Sequence, residues 1–141
     1  MQFLQNSKHY DIKTPSPAAS NPEASIVLAH PKLAPDLSAF LDKMIQAFEW
    51  NAHECLHLEI GPEDHYDYSA FWASKSLRLV VSFGIPSHSI GLFIPAVNYH
   101  LFKVSPFEVY SCDLLQNIAA QKELKSKIWQ DLKSFKTLTP I

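Results

Sequence analysis

A chain of 141 residues, 47% hydrophobic and 18% charged, is long enough for one core that buries roughly two-thirds of its unfolded surface. Its 14 acidic and 12 basic residues leave a formal net charge of -2. That excludes a surface built to hold a phosphate backbone over its whole area, so any nucleic-acid contact has to be local. The only arginine, Arg78, lies in an apolar run, so bidentate phosphate or base clamps are scarce and DNA is not the expected main ligand.

The opening stretch MQFLQNSKHYDIKTP lacks the long apolar core of a secretory signal, and no run reaches the about 20 apolar residues needed to span a bilayer. A soluble, cytoplasmic protein with no membrane partner is expected. TPSPAASNPEA then sets Pro15, Pro17 and Pro22 among small and polar residues, a composition that favours an extended, hydrated linker. The expected organisation is a flexible tail and linker over 1–24, followed by a single α/β domain over 25–141. Phe3, Leu4, Tyr10 and Ile12 give the tail more apolar surface than a spacer needs. They can fold onto a partner, or they are scattered apolar residues of a frayed terminus.

Residues 25–30 (SIVLAH) form a short β-branched run suited to a buried central strand, ended by Pro31. Over 35–49, Leu37, Phe40, Leu41, Met44, Ile45 and Phe48 recur at helical spacing. Pro35 fits the first helical position and Asp36 complements the dipole. Residues 55–60 (CLHLEI) alternate as a strand does and stop at Gly61-Pro62. A short helix over 68–74 is expected next, then the strongest strand, 77–83 (LRLVVSF), with Gly84, Pro86 and Gly91 turning the chain. Weaker strands are expected over 99–104 and 107–111. Finally 114–135 (LLQNIAAQKELKSKIWQDLKSF) is read as an amphipathic helix with Leu124, Ile128, Leu132 and Phe135 on one stripe and Lys125, Lys133 and Lys136 reaching into water. Strands interleaved with helices argue for a layered α/β sheet.

The sharpest catalytic pattern is His53-Glu54-Cys55-Leu56-His57, which matches H-E-x-x-H. On a helix the two imidazoles share a face and can hold zinc. On a strand they lie about 13 Å apart, too far to share one metal. The alternation that follows points to the strand, and Ile60 and Glu63 occupy the places where a longer zinc motif needs glycine and histidine. His57, His65, His88 and His100 are single histidines of the kind that are more often structural than catalytic. Ser87-His88-Ser89 reads as a turn. Cys55 and Cys112 read as buried strand thiols without a disulfide framework. There is no Walker loop and no G-x-G-x-x-G. Trp50, Trp72 and Trp129, with Tyr66, Tyr68 and Phe71, are expected to fill the core or an interface. An exposed cluster within 66–72 would mark a partner site.

Taken together, VVSFGIPSHSIGL, YHLFKVSPFEVYSCDLL and KELKSKIWQDLKSF resemble the psi subunit of bacterial DNA polymerase III, in a diverged, Bacteroidetes-type form. The similarity spans most of the chain. LQNSKHYDIKTP joins it through Tyr10, Ile12, Lys13 and Pro15, an aromatic-x-aliphatic-basic step before a proline. The resemblance implies a three-layer α/β/α sandwich with a central, mostly parallel sheet, like that of uracil-DNA glycosylases. It also implies an interaction subunit with no catalytic residues, no cofactor and no metal. Its N-terminal segment, here Phe3, Leu4, Tyr10 and Ile12, docks on clamp-loader subunits, and its body binds a chi-like subunit.

Base excision is not implied. Glycosylases of that fold carry a water-activating group after the first strand and a His-Pro-Ser-type loop after a late one. This chain reads His30-Pro31-Lys32-Leu33 and Ser111-Cys112-Asp113-Leu114 there. The competing expectations are a glycosylase-like domain with a nucleobase or small-molecule pocket near His30, Pro86 and Ser111, and a zinc hydrolase built on His53, Glu54 and His57.

Overall fold

The structure, a computed structural model, describes residues 12–13, 24–61, 65–66, 76–92, 94–95, 97–104 and 107–137. Its elements in chain order are β1 (Ile12–Lys13), β2 (Ile26–His30), α1 (Pro35–Ala47), β3 (Cys55–Glu59), β4 (His65–Tyr66), β5 (Leu79–Phe83), β6 (Leu101–Val104), β7 (Phe107–Cys112), α2 (Leu115–Ala120) and α3 (Lys122–Leu132). Short 3₁₀ turns span Ala52–Glu54 and Ser87–Ile90. The expected helix over 68–74 and the aromatics Tyr68, Phe71 and Trp72 lie outside the described residues.

The central sheet has five strands in the order β3-β2-β5-β7-β6. The first four are parallel, and β6 is an antiparallel edge on β7. Every residue of β2 and β5 is buried, the signature of central strands covered on both faces, and it explains why IVLAH and LVVSF are apolar runs with no alternation. The alternation of β3 marks an edge strand instead, with His57 and Glu59 exposed.

The two-residue period divides the side chains between two cores. On one face Ile26, Leu28, Leu79, Val81, Phe83, Tyr110 and Cys112 pack beneath Leu41, Ile45 and Phe48 of the α1 region. Leu115 and Ile118 of α2 and Ile128 and Leu132 of α3 complete that cover. On the other face Val27, Ala29, Leu58, Val80 and Val109 pack against Ile85, Ile90 and Leu92 from the segment after β5. All three described helices therefore cover one face. No helix among the described residues is long and apolar enough to cross a membrane.

The expected single helix over 114–135 is two helices. Gln121 between them is extended, with φ -127° and ψ 113°. A continuous helix at 3.6 residues per turn would set Leu115 about 140° around the axis from Ile128. The break rephases the chain so that both are buried on the same core. The end of this segment is tied back to α1: Trp50 Nε1 donates to the Phe135 carbonyl at 2.8 Å and Lys136 Nζ to the Phe48 carbonyl at 2.9 Å. Lys136 is thus a staple as well as an exposed charge. Tyr110 fixes α3 to the sheet by donating its hydroxyl to Asp131 at 2.5 Å.

Candidate functional site

The four parallel strands release the chain along one edge of the sheet. From β2 the chain passes to β3 on one side, then returns to β5 on the other. This reversal is a topological switch point, where the loops after neighbouring strands diverge and leave a crevice. A cavity of about 190 Å³ lies there, lined by Pro31, Ile60, Gly61, Gly84, Pro86 and Ser89 among others. Next to it, beyond β5 and β7, is an open cleft of about 710 Å³ whose wall includes Pro86, His88, Leu92, Asn98, Ser111 and Asp113.

Gly84 forms the ridge shared by the two. Its φ is +71°, and a Cβ at this position would come within 2.5 Å of Leu114 Cδ2. Its N–H donates to the Cys112 carbonyl at 2.9 Å, and the Ser82 hydroxyl donates to the Ile85 carbonyl at 2.7 Å. The turn after β5 is therefore held by its own backbone and by β7.

Of the three expected pocket residues, Pro86 and Ser111 meet on the large cleft. His30 does not join them. It shares the face of Ile26 and Leu28 and is buried. Its Nδ1 lies 2.8 Å from the Pro31 carbonyl, which can only accept, so Nδ1 carries the proton and Nε2 accepts from His57 Nδ1 at 3.3 Å.

The reactive-looking groups of the cleft are held in structural contacts. The Asp113 carboxylate accepts the Tyr99 hydroxyl at 2.8 Å, and the Tyr99 N–H donates to the Ser111 carbonyl at 2.7 Å. Desolvation and then the bond to Asp113 raise the Tyr99 pKa above the ordinary phenol range. Cys112 is buried, its thiol raised by desolvation first and by Asp113 second, and its Sγ lies 3.6 Å from the Ser82 carbonyl. A thiol so placed is a poor nucleophile. Ser87-His88-Ser89 forms the 3₁₀ turn after Pro86. The Tyr99–Asp113 pair joins residues 14 apart, and nothing in the linear sequence announces it beyond the hairpin that brings β6 against β7.

The H-E-x-x-H residues do not share a helical face. His53 and Glu54 sit in the 3₁₀ turn Ala52–Glu54 and His57 in β3. Glu54 turns inward and accepts the Ser25 hydroxyl at 2.9 Å, so it is not aimed at a metal-bound water. Among the described residues no three His, Cys, Asp or Glu side chains are grouped to hold a metal ion. His57 and His53 instead border a separate depression of about 530 Å³ with Asp42, Gln46 and Asn51. Phe3, Leu4 and Tyr10 lie outside the described residues. Ile12 belongs to β1, in parallel register with His65 of β4. No protein-family model matches the chain, and no curated protein is significantly similar to it.

Proposed function

We propose that the chain is an interaction subunit of the psi type, joining a clamp loader to a further partner during DNA replication. The sheet would be the middle layer of a uracil-DNA glycosylase-like α/β/α sandwich. Phe3, Leu4, Tyr10 and Ile12 form the docking segment for clamp-loader subunits, and the body carries a chi-like partner. A short anchor attached to a rigid body raises the local concentration of whatever the body binds.

The observation that carries this reading is the state of the strand-end groups where a base-excising enzyme keeps its chemistry. His30 is bonded to Pro31 and His57, Asp113 holds Tyr99, and Cys112 is a buried thiol. Each of these groups is held by a contact within the fold. The test is a pull-down of purified clamp-loader ATPase subunits with the full chain and with a chain lacking residues 1–23, which keeps the buried Ala24. Recovery only with the tail present supports the proposal, and recovery that ignores the tail refutes it.

The cleft of about 710 Å³ favours one second reading, a pocket for a nucleobase or small molecule. Its volume lies in the range of ligand sites, and Asn98 and Ser111 offer hydrogen bonds without charge. Thermal shift with free nucleobases and nucleosides tests it. Stabilisation that disappears on Ser111→Phe would establish the pocket, and no stabilisation by any of them would remove it.

A further inference from the structure

α3 carries an aromatic side chain that the fold leaves half-covered. Trp129 is 41% exposed and, with Val97, is one of the two large apolar side chains left exposed among the described residues. Its ring is nevertheless ordered by a neighbour: it stacks on Phe48 with centroids 5.1 Å apart and planes 24° apart. Phe48 in turn stacks on Trp50 at 4.5 Å and 13°. Phe48 and Trp50 are both buried. A series of nearly parallel rings therefore leads from the core to an indole that still meets solvent.

The charge around that indole is the reverse of the chain's. Residues 122–136 hold five lysines, Lys122, Lys125, Lys127, Lys133 and Lys136, against Glu123 and Asp131, although the chain as a whole is acidic. At 3.6 residues per turn, Lys122, Lys125 and Lys133 fall within about 40° of Trp129 around α3, whereas Glu123 and Asp131 fall about 120° and 160° away. Lys122, Lys125 and Lys133 are exposed. Asp131 faces Tyr110 and Lys127, with Oδ1 3.1 Å from Lys127 Nζ. Lys136 lies at the Phe48 carbonyl. From the adjoining turn after α1, Glu49 is the one acid next in sequence to Phe48.

We propose that Trp129, with Lys122, Lys125 and Lys133, is a stacking platform for single-stranded nucleic acid. A base extends the ring series on the exposed indole and the three ammonium groups meet the flanking phosphates. An acidic peptide would satisfy the lysines, but it has no use for a flat ring presented at the end of an aromatic stack, whereas every base has a π-face. The site is local, as the small and negative net charge requires, and it belongs to the folded body, so it stands apart from docking through the tail.

The test is fluorescence anisotropy of a labelled oligodeoxythymidine titrated with the full chain at low salt. Trp129→Phe, Trp129→Ala and the double variant Lys125→Gln/Lys133→Gln are compared after circular dichroism melts show each to be folded. Binding should weaken about tenfold for Trp129→Ala and much less for Trp129→Phe, since a base stacked on an aromatic ring is sequence-tolerant and ring-dependent. The logarithm of the binding constant should fall with the logarithm of salt at a slope of about -2 for three phosphates, and at about -0.7 in the double-lysine variant. Absence of binding overturns the proposal. So does binding that Trp129→Ala leaves unchanged, or displacement of the oligonucleotide by polyglutamate that is equally sensitive to Trp129→Ala. Should Trp129→Ala fail to fold, the salt slope of the double-lysine variant decides alone.

Discussion

Burial decides which titratable side chains of this chain can act. Desolvation pushes the Cys55 thiol up to about 12, with Glu54 adding to the effect, and Cys112 is raised the same way. Both thiols should therefore resist a disulfide reagent at pH 8 in the folded protein and react fully once it is unfolded; rapid labelling of either in the native state would contradict their placement. They cannot pair with each other either. Cys55 is on β3 and Cys112 on β7, three strand spacings away, at least about 14 Å at about 4.8 Å each, well beyond disulfide reach.

His57 behaves in the opposite sense. Desolvation first and the neighbouring His30 second lower its pKa below 6.5, with Asp42 opposing them. The unfolded chain then binds the proton more readily, so His57 contributes stability above pH 6.5 that is lost as pH falls through its folded pKa. The imidazole should titrate below the free value by NMR, and His57→Asn should flatten the decline of stability under acid. An unshifted titration would remove the effect. That the two cysteines are buried strand residues was legible from CLHLEI and FEVYSC. The pairing of His57 with His30 was not, because it depends on β2 and β3 lying side by side in register, a fact of the sheet.

At the scale of elements, four described positions hold backbone in the left-handed region, Glu49, Gly84, Gly91 and Tyr99, and the first two carry predictions. α1 ends with the Trp50 N–H bonded to the Ile45 carbonyl at 3.1 Å and the Glu49 N–H to that of Gln46 at 3.0 Å, the paired bonds of a Schellman motif. Its left-handed residue is Glu49, at φ 62°, where glycine is the usual occupant. Glu49→Gly should stabilise the protein by up to about 1 kcal/mol, the relief of left-handed strain less the added freedom of the unfolded chain. A denaturant midpoint that moves downward would show that the Glu49 side chain contributes more than its backbone costs.

Gly84 is the converse. At φ +71° and with Leu114 Cδ2 2.5 Å from where a Cβ would stand, Gly84→Ala combines backbone strain with overpacking. It should cost about 2–4 kcal/mol, and an unchanged melting temperature would show that the ridge between the two cavities yields. The glycine turn was legible in SFGIP. The split of the last helix was not: IAAQKEL contains no helix breaker, and only the demand that Leu115 and Ile128 reach one core separates α2 from α3.

The molecule as a whole is organised by its parallel order. Apolar runs in β2 and β5, alternation in β3 and the strong stripe of α1 made a layered α/β sheet readable from the chain, whereas its mostly parallel order was expected only from the resemblance and is seen in the strand pairing. The positions of the cleft and of the Trp129 stack follow from which strands become neighbours, which the linear pattern does not state. The same organisation says what the leader contributes to folding. Among the described residues the earliest member of either core is Ala24. Of the described residues that precede it, Ile12 and Lys13 form β1, in register with His65 and Tyr66 of β4, and a two-stranded ribbon of that size is marginal alone. A chain of residues 24–141 should keep its far-ultraviolet dichroism and melt within about 4 °C of the full chain, the shift that a loss of about 1 kcal/mol produces at this size. Loss of partner recovery by that chain would then report a missing docking segment. If removal of the leader lowers the melting temperature by more than about 10 °C, several kcal/mol have gone with it. In that case Ile12 and Lys13 belong to the fold, and lost recovery would no longer identify a separable anchor.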